Sequence, residues 1–403
     1  MGRRILLYAT LGWPSAARYA GGFHAAGCEV HAVSPAGAPV RLSRYVAGNY
    51  GYNAMAPLAC LRTAIANCTP DLIVPCDDRA VSHLVRLHET EARKRGAESF
   101  VAALIARSLG APANYSRVIS RSGSLAEAKA RGVLVPDTLP IADESELDAC
   151  LAVTGLPAVL KADGSWGGDG VFIARTREEA RAAFRKLSQP PSRARSLARF
   201  LRRRDAHFLL AALKPRVSPI CIQRFISGRP AASAFAAHRG KIVGAFHYDV
   251  LVADGEIGPP NVIRRVDCPE MDRAVRAIAE CFGLSGLHGL DFIRDEWGRV
   301  HLIEINPRPT QGGTLPFGAG RDLPSALAQT LTAFPVGRRP AIETDVVAFF
   351  PREWRRDPAS PYLREGYHDI PADDPGVKDR GVAARPTAGK SPSPRGSAPP
   401  RSS

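Results

Sequence analysis

Through residue 88, short continuous apolar runs alternate with segments whose apolar positions recur at helical spacing. The runs Arg4 to Ala9, Glu29 to Val33 and Leu72 to Pro75 read as strands buried on both faces. Pro14 to Ala26, Ala56 to Ala66 and Asp77 to His88 read as the helices between them. Alternation of this kind predicts an α/β domain on a doubly wound parallel sheet, drawn here over residues 1–110. Gly27 stands where a helix should stop and Asp77 where one should be capped. The first strand-to-helix turn, Thr10-Leu11-Gly12-Trp13-Pro14, lacks the glycine spacing of a dinucleotide site, so nicotinamide and flavin are not expected.

From 111 to 350 the pattern changes to hairpins interleaved with helices, which predicts an α+β region on antiparallel sheet. Strands are expected at Ala158 to Lys161, Val171 to Ala174, Ile220 to Phe225, Ala232 to Ala237, Lys241 to His247, Gly289 to Arg294 and Arg299 to Asn306. A helix should begin after Thr176, because Glu179 completes a capping box. Residues 351–403 form a C-terminal extension. From about 371 it is mostly Pro, Gly, Ser, Ala and Arg, too poor in large apolar residues to offset chain entropy, and disorder is expected there.

Composition narrows the classes. The chain has 403 residues, 45% of them hydrophobic, but no apolar run reaches the roughly 18 residues of a membrane span. The opening Gly2 to Ala9 mimics a secretory signal, yet it is short and runs straight into Gly12, Trp13 and Pro14, so a buried first strand is the better reading. Eight cysteines lie far apart without a C-x-x-C pair, which points to the reducing cytoplasm. The net charge of +15 invites a nucleic-acid reading. Two segments, 191–216 and 371–403, hold most of that excess, and no helix-turn-helix, zinc-finger or aromatic RNA-binding pattern accompanies them. The basic insertion near 190–216 therefore reads as arginine-rich surface.

The chemistry concentrates in two stretches. His288 to Arg308 reads as a hairpin. With Asp295 to Gly298 as its turn, Asp291 faces Leu302; a shift of two sets Asp291 opposite Glu304. In either register Asp291, Glu304 and Asn306 project to one side, since strand side chains alternate. Two carboxylates and an amide oxygen brought together call for a hard cation, above all magnesium, which takes the rest of its shell from water and phosphates. Arg308 adds a fixed cation suited to an anionic phosphoryl group. The bland alternative is an exposed hairpin with solvated acids. In the second stretch Lys161 ends an apolar strand, and Gly164, Gly167, Gly168 and Gly170 form a loop into the next. Such a backbone can close over phosphates while the lysine supplies charge, although the order is not that of a Walker loop.

Together, and in this order, the two stretches resemble the ATP-grasp superfamily. The resemblance covers roughly residues 1–350 and implies an ATP-grasp fold over 111–350, with two subdomains holding the nucleotide between them. It implies that Lys161 and the glycine flap contact ATP phosphates. By the same resemblance Asp291, Glu304 and Asn306 hold magnesium (or manganese), and Arg308 binds an anion. Gln223, Arg224, Phe225 and Ile226 match the hinge whose backbone binds the adenine edge, with Gln223 in place of the usual glutamate. Arg121 matches the first nucleotide-binding lysine, a change that keeps charge but alters geometry. Arg264 and Arg265 lie where related ligases place a further basic contact. The implied activity is a cytoplasmic ligase that activates a small-molecule carboxylate as an acyl phosphate and transfers it to an amine. The oligomeric state is not readable from the sequence, a homodimer being only the common default. The rival readings are a non-catalytic ATP-Mg-binding module and, third, a contact for an acidic partner through the basic segment. His247, His288 and His301 show no paired metal spacing and read as satisfied or exposed histidines.

Overall fold

The N-terminal alternation folds largely as its pattern predicts. In the computed structural model, which describes residues 2–163, 170–189 and 218–383, β1 (Arg4–Tyr8) pairs in parallel with β2 (Glu29–Ser34) and with β4 (Leu72–Pro75). Helices α1 (Pro14–Ala25), α2 (Pro57–Cys68) and α3 (Asp78–Arg95) connect and flank the strands. Gly27 has φ +81 just past α1, and the Asp77 carboxylate caps α3 by accepting from the Ala80 N–H at 2.9 Å. The sheet holds one strand the pattern missed, β3 (Val46–Gly51), outside β2. An edge strand is only half-buried, so it needs no apolar run. Gly48 serves the packing there, because a Cβ would stand 2.4 Å from the His31 ring.

Two further sheets follow. The small one is antiparallel, in the order β5 (Thr138–Ile141), β8 (Ile220–Arg224), β6 (Ala158–Ala162), β7 (Val171–Ala174). The large one has seven strands in the order β13-β12-β9-β10-β11-β14-β15. These are β9 (Arg229–His238), β10 (Lys241–Ala253), β11 (Pro260–Val266), β12 (Gly286–Arg294), β13 (Val300–Asn306), β14 (Val346–Ala348) and β15 (Tyr367–His368). All seven expected strands are present. The unforeseen β5, β11, β14 and β15 contain proline or run to only two or three residues, too little for a periodic signal. The capping box forms in part: Glu179 N–H donates to Thr176 Oγ1 at 3.1 Å, while the Glu179 carboxylate accepts from the Arg175 N–H, one residue before the cap, at 2.6 Å.

One face of the large sheet packs Phe235, Leu290, Phe292 and Leu302 on the helices Arg121–Ala130 and Pro269–Phe282. The other face, with Ala232, Ala234, Ala236 and Tyr248, joins Tyr19 and Phe23 of α1 in a core continuous with the parallel sheet. Small residues permit that approach: a Cβ on Gly313 would stand 2.3 Å from Tyr19 Oη. Among the described residues no helix is long and apolar enough to cross a membrane.

The C-terminal expectation needs correction. Residues 371–383 are folded, and a helix runs over Pro375–Ala383. Composition misled because this segment is held by polar and close contacts. Asp374 accepts from Ser43 Oγ at 2.6 Å and from the Arg44 N–H at 3.2 Å, and buried Val377 joins the shared core. Gly381 lies where a Cβ would meet the Phe350 ring at 2.5 Å. Residues 384–403, the basic insertion up to residue 217 and flap residues 164–169 lie outside the described residues.

Candidate functional site

The β12–β13 hairpin takes the shifted register, with Asp291 opposite Glu304, over its site end, and neither expected register near its turn. Arg294 pairs with Val300 and Phe292 with Leu302, so an uninterrupted ladder would set Asp291 against Ile303 and send Glu304 to the core face. A bulge at Ile303 prevents this, and Asp291 pairs with Glu304 and Gly289 with Asn306. The three oxygen-bearing side chains therefore share one face, on the side of the parallel sheet, while Leu290, Phe292, Leu302 and Ile305 fill the core on the other. The Ile303 carbonyl at the bulge accepts from Lys161 Nζ at 3.2 Å.

The acids meet cations from three separate elements. Arg121, at the start of its helix, donates to Glu304 Oε1 at 2.6 Å and to the Ala162 carbonyl at 3.0 Å. Lys161, on β6, is buried and also donates to Gln223 Oε1 at 2.8 Å. Asn306 Nδ2 donates to Asp291 Oδ2 at 2.9 Å. Arg308 leaves the end of β13 toward the parallel sheet, where its Nε donates to Asp78 Oδ2 at 2.9 Å. Burial, and then the Glu304 charge, push the Asp291 carboxyl up to about 6. Burial works against the Glu304 charge too, but Arg121, Lys161 and Arg308 outweigh it and hold that carboxyl below its ordinary value. Burial lowers the Lys161 ammonium. Among the described residues no three His, Cys, Asp or Glu side chains form a metal cage. The donor set is instead two facing carboxylates plus an amide, which fits a hard cation that takes few protein ligands.

The remaining expected residues divide. Gln223 is 2% exposed and directs its side chain to Lys161 and to Thr138 Oγ1 at 2.9 Å, so it orients the lysine. Arg224 spends its guanidinium on Asp137 and the Val153 carbonyl. The N–H groups of Arg224 and Phe225 go to the carbonyls of Asp137 and Pro157, and Ile226 follows just beyond β8. Gly170, with φ +81, opens β7; Gly164, Gly167 and Gly168 lie outside the described residues. Arg265 shares the sheet face of the acids, in line with Asp291 through Tyr248 and Ala232, but stands three strands away on β11, where its guanidinium pairs with Asp345; Arg264, opposite Asp249, is on the other face, so neither meets the acids. Each of the three histidines has a hydrogen-bond partner, His247 in Ser233, His288 through Nε2 in the Ser285 carbonyl and His301 in Asp295, but the buried Nδ1 of His288 has none among the described residues.

Asp78 escaped sequence reading. Its only signal is position, since it opens the helix after β4, at the carboxyl edge of a parallel sheet where ligand sites gather. Also unforeseen is a cavity of about 1030 Å³ at that edge. Thr10 and Asn53 from the ends of β1 and β3 line it, as do Gln311 and Thr314, a few residues past Arg308. Thr10 also donates to Asp77, next to Asp78, at 2.7 Å. Its outer wall is the C-terminal segment, through Phe350, Arg355, Val377 and Arg380.

The ATP-grasp domain family matches residues 127–312. No curated protein matches the sequence. Among solved structures, N5-carboxyaminoimidazole synthetase from Staphylococcus aureus, complexed with ADP, superposes with a TM-score of 0.59 at 14% identity, covering 84% of this chain and 80% of its own. The biotin carboxylase domain of 2-oxoglutarate carboxylase from Hydrogenobacter thermophilus, complexed with MgADP, ADP and bicarbonate, gives 0.57 at 15%, covering 85% and 71%. The L-amino acid ligase from Bacillus licheniformis gives 0.56 at 13%, covering 83% and 75%. At such identities the likeness is one of fold.

Proposed function

We propose, from the premise that residues 127–312 form an ATP-grasp domain, that this chain is an ATP-dependent ligase joining a small-molecule carboxylate to an amine. The observation that carries the reading is the single face shared by Asp291, Glu304 and Asn306, with Arg121 and Lys161 in contact across it and Arg308 at its edge. Asp291, Glu304 and Asn306 would hold magnesium, which supplies charge neutralisation at the β- and γ-phosphates of ATP. The L-amino acid ligase and the two ADP-bound synthetase and carboxylase structures support this choice by their shared fold.

The substrate carboxylate attacks the γ-phosphorus, ADP leaves, and the amine then displaces phosphate from the acyl phosphate. Lys161 aligns the phosphates: an ammonium has three donors, and Gln223 and Ile303 take two. Arg121 trades its bond to Glu304 for a phosphate oxygen. Arg308, kept in place by Asp78, holds the acyl phosphate beside the acid face, and the cavity lined by Gln311 and Thr314, a few residues on, receives the organic substrates. All eight cysteines are unpaired, which fits a reducing cytoplasm.

The decisive experiment is a coupled ADP-release assay over amino acids, dipeptides and small carboxylates, with and without amines, followed by product masses. A carboxylate- and amine-dependent signal with a product lighter by one water than the two substrates is expected. Binding of ATP-Mg without ADP release across the panel would leave only a nucleotide-binding module.

A further inference from the structure

The cavity at the carboxyl edge of the parallel sheet carries an unbalanced charge. Three arginines line it, Arg18, Arg355 and Arg380, against one carboxylate, Asp369. That carboxylate is already taken, because Arg18 donates to Asp369. Arg355 makes its bond to a neutral group, the Gly381 carbonyl on the C-terminal helix. Its neighbour Arg352 has a carboxylate, Asp254 at 2.6 Å, but among the described residues no carboxylate ion-pairs with Arg355 or Arg380. Burial and the Arg352 charge both disfavour the Arg355 cation. A half-buried guanidinium with no counter-ion, on the wall of a substrate-sized cavity, gains most from an oxyanion, which it can bind through two parallel hydrogen bonds.

We propose that the cavity selects an organic substrate with a second anionic group, remote from the carboxylate that reacts, and that Arg355 and Arg380 on the C-terminal wall bind that group. Gln311 and Thr314 of the lining follow Arg308 by three and six residues, so this side of the cavity leads toward the acid face, and a substrate held at Arg355 by one end presents the other there. The assignment of the two ends rests on the ligase reading; binding of the anion does not. It also gives the folded C-terminal segment a task, since specificity then resides in residues that follow the ATP-grasp domain.

The test is isothermal titration of the full chain without nucleotide. Glutarate and O-phosphoserine serve as probes with a second anionic group, valerate and serine as counterparts without it. The first pair should bind about 10-fold tighter or better, with glutarate and O-phosphoserine telling a carboxylate from a phosphate. Arg355→Gln should erase most of that preference, Arg355→Lys should keep part of it, and Arg380→Ala should lose a few-fold. Equal binding of both pairs by the unmodified chain, or an intact preference in Arg355→Gln, overturns the proposal. Thermal unfolding without ligand shows whether losing the Gly381 contact unfolds the wall; if it does, Arg380→Ala decides, and an unchanged preference there counts against the anion site. Selective binding without any ADP release would sink the ligase reading and leave the anion site standing. ADP release with monoacids as readily as with diacids would do the reverse.

Discussion

The acid face of β12–β13 and the wall of the cavity are both clusters of charge, but they are balanced differently. On the hairpin, Asp291 and Glu304 face Arg121, Lys161 and Arg308, and each charge has an opposite within the chain. On the cavity wall, Arg18 has Asp369 while Arg355 and Arg380 have no carboxylate among the described residues. A balanced cluster can assemble during folding and wait, since its desolvation is offset internally. An unbalanced one is tolerable only because it borders solvent, and it is completed by something from outside. The two also differ in origin. The acids come from one hairpin, whereas the cavity wall draws on the ends of three parallel strands, a loop after β13 and a segment more than three hundred residues from the first strand.

The comparison breaks most sharply at Glu304. Glu304→Ala removes a proposed metal ligand and the carboxylate partner of Arg121, and turnover should fall about 1000-fold or more while circular dichroism shows an intact fold. An unimpaired rate would end the metal assignment. Next comes Lys161→Ala, expected to cost about 100-fold in kcat/KM for ATP; steady-state kinetics with varied ATP would show this, and unchanged values would remove the lysine from the phosphate site.

The core face of the same hairpin should answer only in stability. His288 is fully buried and burial lowers its pKa to about 4, against the ordinary value of 6.5. Its folded-state pKa is depressed, so the unfolded chain binds the proton first as pH falls below 6.5. Stability should then decline between pH 6.5 and 4 by roughly 2–3 kcal/mol from this group. His288→Gln should flatten that slope in pH-dependent denaturant melts without changing turnover at pH 7.5. A loss of turnover would mean that the hairpin's two faces are not separable.

The smallest effect belongs to the cavity wall. Asp374→Ala leaves the buried Ser43 hydroxyl without its acceptor and should cost about 1–2 kcal/mol locally. Hydrogen exchange should rise across 371–383 before it rises in β1. Uniform exchange would show that the C-terminal helix unfolds only with the core.

Much of this was legible in the chain, though unevenly. Periodicity gave β1, β2 and β4 because a parallel sheet buries both faces of its strands, and it missed β3 because an edge strand keeps one side in water. Asp291, Glu304 and Asn306 could be grouped from alternation alone, but the bulge that unites them could not. Backbone hydrogen bonds across the hairpin set that register, and two-residue periodicity carries no trace of one extra residue at Ile303. Disorder beyond 371 was inferred from scarce apolar residues. It failed up to residue 383, since Asp374 and Gly381 act through contacts with Ser43, Arg44 and Phe350, which are remote in sequence.

What the residues determined by themselves was local: which segments are strands, where helices are capped, and that oxygen donors, a lysine and glycines occur in an order suited to phosphate chemistry. Packing decided the rest. The meeting of Arg121 with Glu304, of Arg308 with Asp78 and of three arginines around one cavity depends on how the sheets stack. Pairings between distant segments are fixed by the burial of the whole core, and no short window of sequence holds that information.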